Sequence, residues 1–486
     1  MNKKLFPFIA MAALMAFPSE AKVRLPHVIC DNMVIQQNAD VNLWGWDKPG
    51  KDVKVSVSWS DDVYTAKTGK DGRWSVSVKS PKASYTPLSI TFDDGEKTTV
   101  NDVLAGEVWV CTGQSNMEMP INGFGNCPVE GANDVKIDAA KVKGINFVKI
   151  PSVMSMTPLD DADCKWEKVS PATVGDCSAT GYFFGETLNK ALDIPIGLIL
   201  ANKGGSRVES WLDYDNLKKH TTEEVDDSAK MVKKFEWDYH RPLVWGNGTV
   251  HPILNYTVNG IIYYQGCSNV GDPGNQYSDR LKILVEQWRR DFRNENLPFY
   301  FVEIAPYNYG SQGLRQTGAL LREQQLRASD IIPNSALVCT NDLAYPFETT
   351  QIHPRQKKPV GDRLAYHALK RNYGFDKLIS DSPRYKSMEV SNDSVFVSFD
   401  HMDWGYDRFE DIQGFEIAGD DKVFYPAKAV HFWEPGNNPR NETVLLTAPE
   451  VKHPVAVRYC FKDFQLGNLK NAGLLPLFPF RTDNWE

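Results

Sequence analysis

Between residues 107 and 343 the chain repeatedly builds an apolar run and then breaks it off at glycine or polar residues. The runs are EVWVCTGQSN (107–116), IGLILANKGGS (196–206), GIIYYQGCSN (260–269), FYFVEIAP (299–306) and SALVCTNDL (335–343). Amphipathic segments lie between them, among them ATGYFFGETLNKAL (179–192) and YSDRLKILVEQWRRDF (277–292). Strand-length apolar runs alternating with amphipathic helices leave few solutions: a mostly parallel sheet with both faces covered, in an α/β fold. In such sheets ligands collect beyond the carboxyl ends of the strands. The places where these runs stop are therefore where chemistry is expected.

A chain of 486 residues exceeds one typical core, and its flanks have a different texture. From about Val23 to Val103 short alternating runs such as VKVSVSW and RWSVSV are broken at Pro49-Gly50, Asp71-Gly72 and Asp94-Gly95, which suit tight turns. After about Tyr373 alternation returns in SVFVSF, KVFYPAKAVHF, ETVLLTA and VAVRYCF. The expected organisation is an N-terminal β-sandwich domain over 22–102, an α/β domain over 103–372 and a β-rich region over 373–486. Residues 1–21 stand apart. Lys3-Lys4, the apolar LFPFIAMAALMAF and a small-residue end at Ala21 have the layout of a signal peptide, implying export to the periplasm or cell exterior. No later segment is apolar enough to span a bilayer.

The formal charge is −8; removing Lys3, Lys4 and Glu20, together a net +1, leaves −9. An acidic chain without a basic stripe is a poor nucleic-acid binder. Its 13 Trp, 19 Tyr and 24 Phe supply core and, equally, stacking surfaces for sugar rings. Of the 8 cysteines, Cys111 and Cys339 read as small buried hydrophobes, whereas Cys127, Cys164 and Cys177 lie in loop-like sequence where pairing is open to an exported chain. No CxxC or HExxH suggests zinc.

Four strand ends carry residues of chemical interest. Ser115, on the turn after VWVCTG, is either a helix cap, with Glu118 completing a capping box, or an exposed nucleophile. Asn116 is placed to hold that turn. Gly204-Gly205 let backbone approach a ligand closely and offer an N–H to an oxyanion. Gln265 and Asn269 flank another strand-terminal glycine and bring side-chain amides. His353, kept out of a helix by Pro354, is a candidate base on a loop. Each signal alone is weak; their recurrence at successive strand ends favours a serine nucleophile with a histidine base.

GQSNMEMP, GGSRVESW, YYQGCSN and IHPRQKKPVGDRLA, in this order, resemble the sialate O-acetylesterase family of the SGNH (GDSL-like) hydrolase superfamily. The likeness extends to MVIQQNADVNLWGW, GYFFGETL, REQQL and the tail GLLPLFPFRTDNW. It implies a three-layer α/β/α hydrolase core and a carbohydrate O-acetylesterase that needs no metal or cofactor. Ser115 then corresponds to the nucleophile and His353 to the general base. The backbone N–H of Ser115, that of Gly205 or Gly204, and the Gln265 amide correspond to the oxyanion hole. The substrate implied is an acetylated sugar, with sialic acid esters first and xylan, mannan or pectin oligosaccharides as alternatives.

The chain departs from the family pattern twice. An Asp two or three residues before the histidine is replaced by Thr350 and Gln351, so His353 is oriented either by backbone, as a Ser–His dyad, or by a distant acid such as Asp342 or Glu348. Cys267 stands where relatives carry Glu. These departures keep a non-catalytic carbohydrate-binding protein as the competing expectation. Arg207, Trp211 and Asn269 are candidate substrate contacts.

Overall fold

The computed structural model describes residues 22–310, 316–402, 405–407, 410–436 and 443–485. The expected signal peptide lies outside the described residues.

Seven strands form the central sheet. Their order across it is Ser335–Val338, Phe299–Val302, Gly260–Tyr264, Lys97–Gly113, Ile196–Asn202, Ile145–Lys149 and Trp166–Lys168. All neighbouring pairs are parallel except the last. The Lys97–Gly113 strand is central; the strands that follow it as far as Ile196–Asn202 lie on one side of it, and those from Gly260–Tyr264 onward lie on the other. Its carboxyl end is consequently a switch point of the topology, the place where open α/β sheets bind their ligands.

Strand side chains alternate between two cores. Trp109, Cys111, Leu198, Leu200, Ile262 and Tyr264 pack with Phe183, Phe184 and Leu188 of the helix Ala179–Leu192 and with Val360, Leu364 and Ala368 of the helix Lys358–Asn372. Val108, Val110, Ile199, Ala201, Ile261 and Tyr263 join Leu281, Val285 and Trp288 of the helix Gln276–Asp291 and Leu321 and Ala328 of the helix Thr317–Ile331. A period of two along each strand thus buries both faces, which is why these runs are continuously apolar.

At the N-terminal side the Lys97–Gly113 strand also pairs antiparallel with Ser84–Asp93, so one strand runs through both textures of the sequence. Asp52–Val57 shows why this region is β: Val53, Val55 and Val57 are buried while Asp52, Lys54 and Ser56 face solvent. At the C-terminal side two four-stranded antiparallel sheets share one core that includes Val395, Val397, Ile417, Val444, Leu446 and Val457. This region is tied to the central sheet's edge. Asp463 accepts from Gly318 N at 2.7 Å, and Lys470 pairs with Asp342 at 3.0 Å.

All eight cysteines are free thiols, so the pairing left open for Cys127, Cys164 and Cys177 is not made. Cys177 is fully buried beside the start of a helix, and Cys127 donates instead to Gln351 Oε1 at 3.4 Å. No described helix is long and apolar enough to cross a membrane.

Candidate active site

The turn that carries Ser115 is set by backbone. Gly113 ends its strand at φ +134°, and a Cβ there would collide with Tyr264 O of the neighbouring strand. Gln114 then donates its N–H to Tyr264 O at 2.9 Å, while its side-chain Oε1 accepts from Gly266 N at 2.7 Å. The chain enters a single helical turn, Ser115–Glu118, whose cap is Gln114. Ser115 is therefore the first helical residue and not the cap. Its hydroxyl is left for another partner, and its N–H has no intrahelical acceptor.

That partner is His353, whose Nε2 lies 2.8 Å from Ser115 Oγ across 238 positions of sequence. The histidine loop is braced throughout. Gln351 Oε1 accepts from His353 N at 3.1 Å, and the ring meets the Phe124 ring edge to face at 5.2 Å. Glu348 accepts from Arg355 N and Nε, both at 3.2 Å, and from Tyr345 N at 2.8 Å. Asn116 Nδ2 donates to Ile352 O at 2.9 Å, joining the residue after the serine to the residue before the histidine.

Neither candidate acid orients the histidine. Asp342 is held by Arg363 through two contacts of 2.8 Å and by Lys470, and both oxygens of Glu348 are occupied by the loop. Among the described residues His353 Nδ1 has no hydrogen-bond partner. The serine and histidine stand as a pair.

The 204–205 turn lies against the serine: a Cβ on Gly204 would sit 3.5 Å from Ser115 Cβ. Gly204 N donates to Glu118 Oε2 at 2.6 Å, which takes it out of the oxyanion set and also explains why Glu118 does not close a capping box. Gly205, at φ +76° with the Tyr239 ring packed on it, needs to be glycine, and its N–H makes no hydrogen bond among the described residues.

Four residues assigned roles from sequence are committed to partners in the scaffold, and three of them, Gln265, Asn269 and Trp211, are buried. Gln265 uses both amide hydrogens, on Ser206 O at 3.0 Å and Asn269 Oδ1 at 2.9 Å, so it has none for an oxyanion. Asn269, fully buried, donates to Glu209 and Asp272 and accepts from Val208 N. Trp211 is also fully buried, with its indole N–H on Ser206 Oγ at 3.1 Å. Arg207 is clamped by Glu223 at 2.8 Å and Glu209 at 3.2 Å under the Phe235 ring. Immediately after the glycine turn the chain enters the short helix Val208–Ser210, all three of whose residues are buried.

With this geometry in view, comparison with known proteins is decisive. A family model described as carbohydrate esterase, sialic acid-specific acetylesterase matches residues 105–370, more than half of the chain. The chain belongs to this esterase family. A crystal structure of a carbohydrate acetylesterase from Xanthomonas citri is 30% identical, with a TM-score of 0.82 over 96% of this chain and 100% of that one. The mouse sialate O-acetylesterase is 25% identical over 452 residues, covering 81% of this chain and 82% of its own length. The human sialate O-acetylesterase is 26% identical over 403 residues, covering 76% and 74%.

The esterase keeps its histidine unprotonated. Burial, with a further push from the charge of Lys357, lowers His353 to about 4. Cys267 is no rival nucleophile: burial raises its thiol to about 11, and its sulfur accepts from Tyr309 OH at 3.2 Å. The residues missed from sequence are Gln114, which buttresses the turn, and Lys357. Lys357 falls within a basic run that reads as a solvated helix start, and nothing local marks it as buried.

Proposed function

We propose that this carbohydrate esterase removes O-acetyl groups from sugars through an acetyl-enzyme on Ser115. His353 Nε2 takes the Ser115 proton as Oγ attacks the acetyl carbonyl, then returns it to the departing sugar oxygen. Water next attacks the acetyl-enzyme with His353 again as base, releasing acetate. The N–H groups of Ser115 and Gly205 are the oxyanion donors, since Gly204 and Gln265 are committed elsewhere. The observation that carries this reading is the 2.8 Å contact between His353 Nε2 and Ser115 Oγ at the carboxyl end of the central strand.

Sialic acid esters are the first substrate class, following the mouse and human relatives. Arg207 does not recognise the sugar carboxylate, because two glutamates already neutralise it. We further infer a three-layer α/β/α core from the two separately packed sheet faces, and export from the N-terminal sequence.

The test is acetate release from acetylated sialosides, xylo- and manno-oligosaccharides, compared as kcat/KM. Ser115→Ala and His353→Ala should each lower kcat at least ~1,000-fold without unfolding the protein. Wild-type turnover by Ser115→Ala, or glycan binding without hydrolysis by the native enzyme, would overturn the reading.

A further inference from the structure

In a Ser–His pair without a carboxylate, something else must hold two distant loops in register. The cross-link available is the Asn116 side chain, which follows the nucleophile in sequence yet bonds to Ile352 O, the carbonyl preceding His353. A primary amide is nearly symmetric in shape, and rotating it by half a turn would point Oδ1 at Ile352 O, two acceptors facing each other. Lys357 Nζ lies 2.5 Å from Asn116 Oδ1. In its protonated form the lysine only donates, which turns the oxygen toward it and the NH2 toward Ile352.

We propose that Lys357 is a positioning residue for this reaction: it orients the Asn116 amide, which locks the serine turn to the histidine loop. Lys357 is 1% exposed and makes no ion pair among the described residues. It also lies over the face of the Tyr264 ring, 5.9 Å from the centroid. Burying a cation without a counter-ion is costly, and a leucine or methionine would fill the space more cheaply. The cost is understandable if the donor is needed. The groups that face Lys357 electrostatically are His353, Glu348, Cys267 and Cys127, and burial lowers its own ammonium to about 7.

The inference rests on the esterase reading and is tested separately from it. Lys357→Met, Asn116→Ala and the double variant are assayed on p-nitrophenyl acetate across pH, with folding followed by circular dichroism. Each single variant should lose ~10–100-fold in kcat with KM little changed, because a misplaced base costs rate more than binding. The double variant should lose no more than the worse single one, since the two side chains act as a unit. Removing the Lys357 charge should also move the acid limb of kcat/KM to higher pH, which a space-filling role would not do. If Lys357→Met does not fold, Lys357→Gln keeps a donor without charge: it should retain more of kcat while still shifting the limb. An active wild type with unchanged kcat in Lys357→Met, or losses that multiply in the double variant, would overturn this inference alone. A wild type without any esterase activity would overturn the reading beneath it.

Discussion

In the mechanism proposed above, a histidine that takes a proton from serine must be neutral when the substrate arrives, and His353 is kept so by burial first and by the Lys357 charge second. With its conjugate acid lowered to about 4, the base is competent throughout the neutral range and well into acid. The kcat/KM of the native esterase on p-nitrophenyl acetate should stay level from pH ~7 to ~5, then fall as protonated His353 accumulates. A limb centred near the ordinary histidine value of ~6.5 would show that the ring is neither desolvated nor near a cation. Sequence reasoning singled out Ser115 and His353, which the structure brings within 2.8 Å of each other, because a serine on a strand-end turn and a histidine on a loop are recognisable from residue type and position. It could not place Gln265, Asn269, Arg207 and Trp211, since position after a strand does not say whether a side chain faces the cleft or the sheet below. That is decided by which buried polar groups need partners: Ser206, Glu209 and Val208 claim those side chains first.

Helices of strong amphipathic period were legible almost to the residue: the expected 179–192 and 277–292 appear as Ala179–Leu192 and Gln276–Asp291. The stretch from Val208 to Ile253 was not, because it is a succession of helical segments of three to seven residues, each too short to show a period of its own. The helix Lys358–Asn372 matters most for chemistry, since it anchors the His353 loop from its far end. It packs closely on Ala179–Leu192 at Gly361, where a Cβ would come within 2.6 Å of Phe183 Cβ and 2.7 Å of Phe184 N. Neither neighbour can yield without moving a helix. Gly361→Ala should therefore destabilise the fold by ~1–3 kcal/mol, read from urea unfolding. Unchanged stability would mean that the two helices are not in this close contact.

Across the whole molecule, the C-terminal sheets brace the edge of the central sheet next to the histidine loop, and Asp342 is the joint. It receives Arg363 from the helix after that loop and Lys470 from the C-terminal region. Burial alone would raise its carboxyl, but Arg363 and Lys470 outweigh burial and leave it below the usual value. A lowered carboxylate contributes stability that is fully present above the unfolded-state value and is lost as pH falls through the folded one. Asp342→Asn removes that contribution and leaves the Arg363 guanidinium, nine-tenths buried, without its counter-ion. The expected loss is about 3–5 kcal/mol by chemical denaturation, together with a weaker acid dependence of stability. Under conditions where the variant is folded, kcat should remain within ~2-fold of wild type, because no atom of Asp342 serves His353. An acid that oriented the catalytic histidine would behave in the opposite way, with stability nearly kept and kcat lowered about ten-thousand-fold. The same variant therefore separates a joint between the C-terminal sheets and the central sheet from a third member of the catalytic set, and the Arg363 and Lys470 contacts favour the joint.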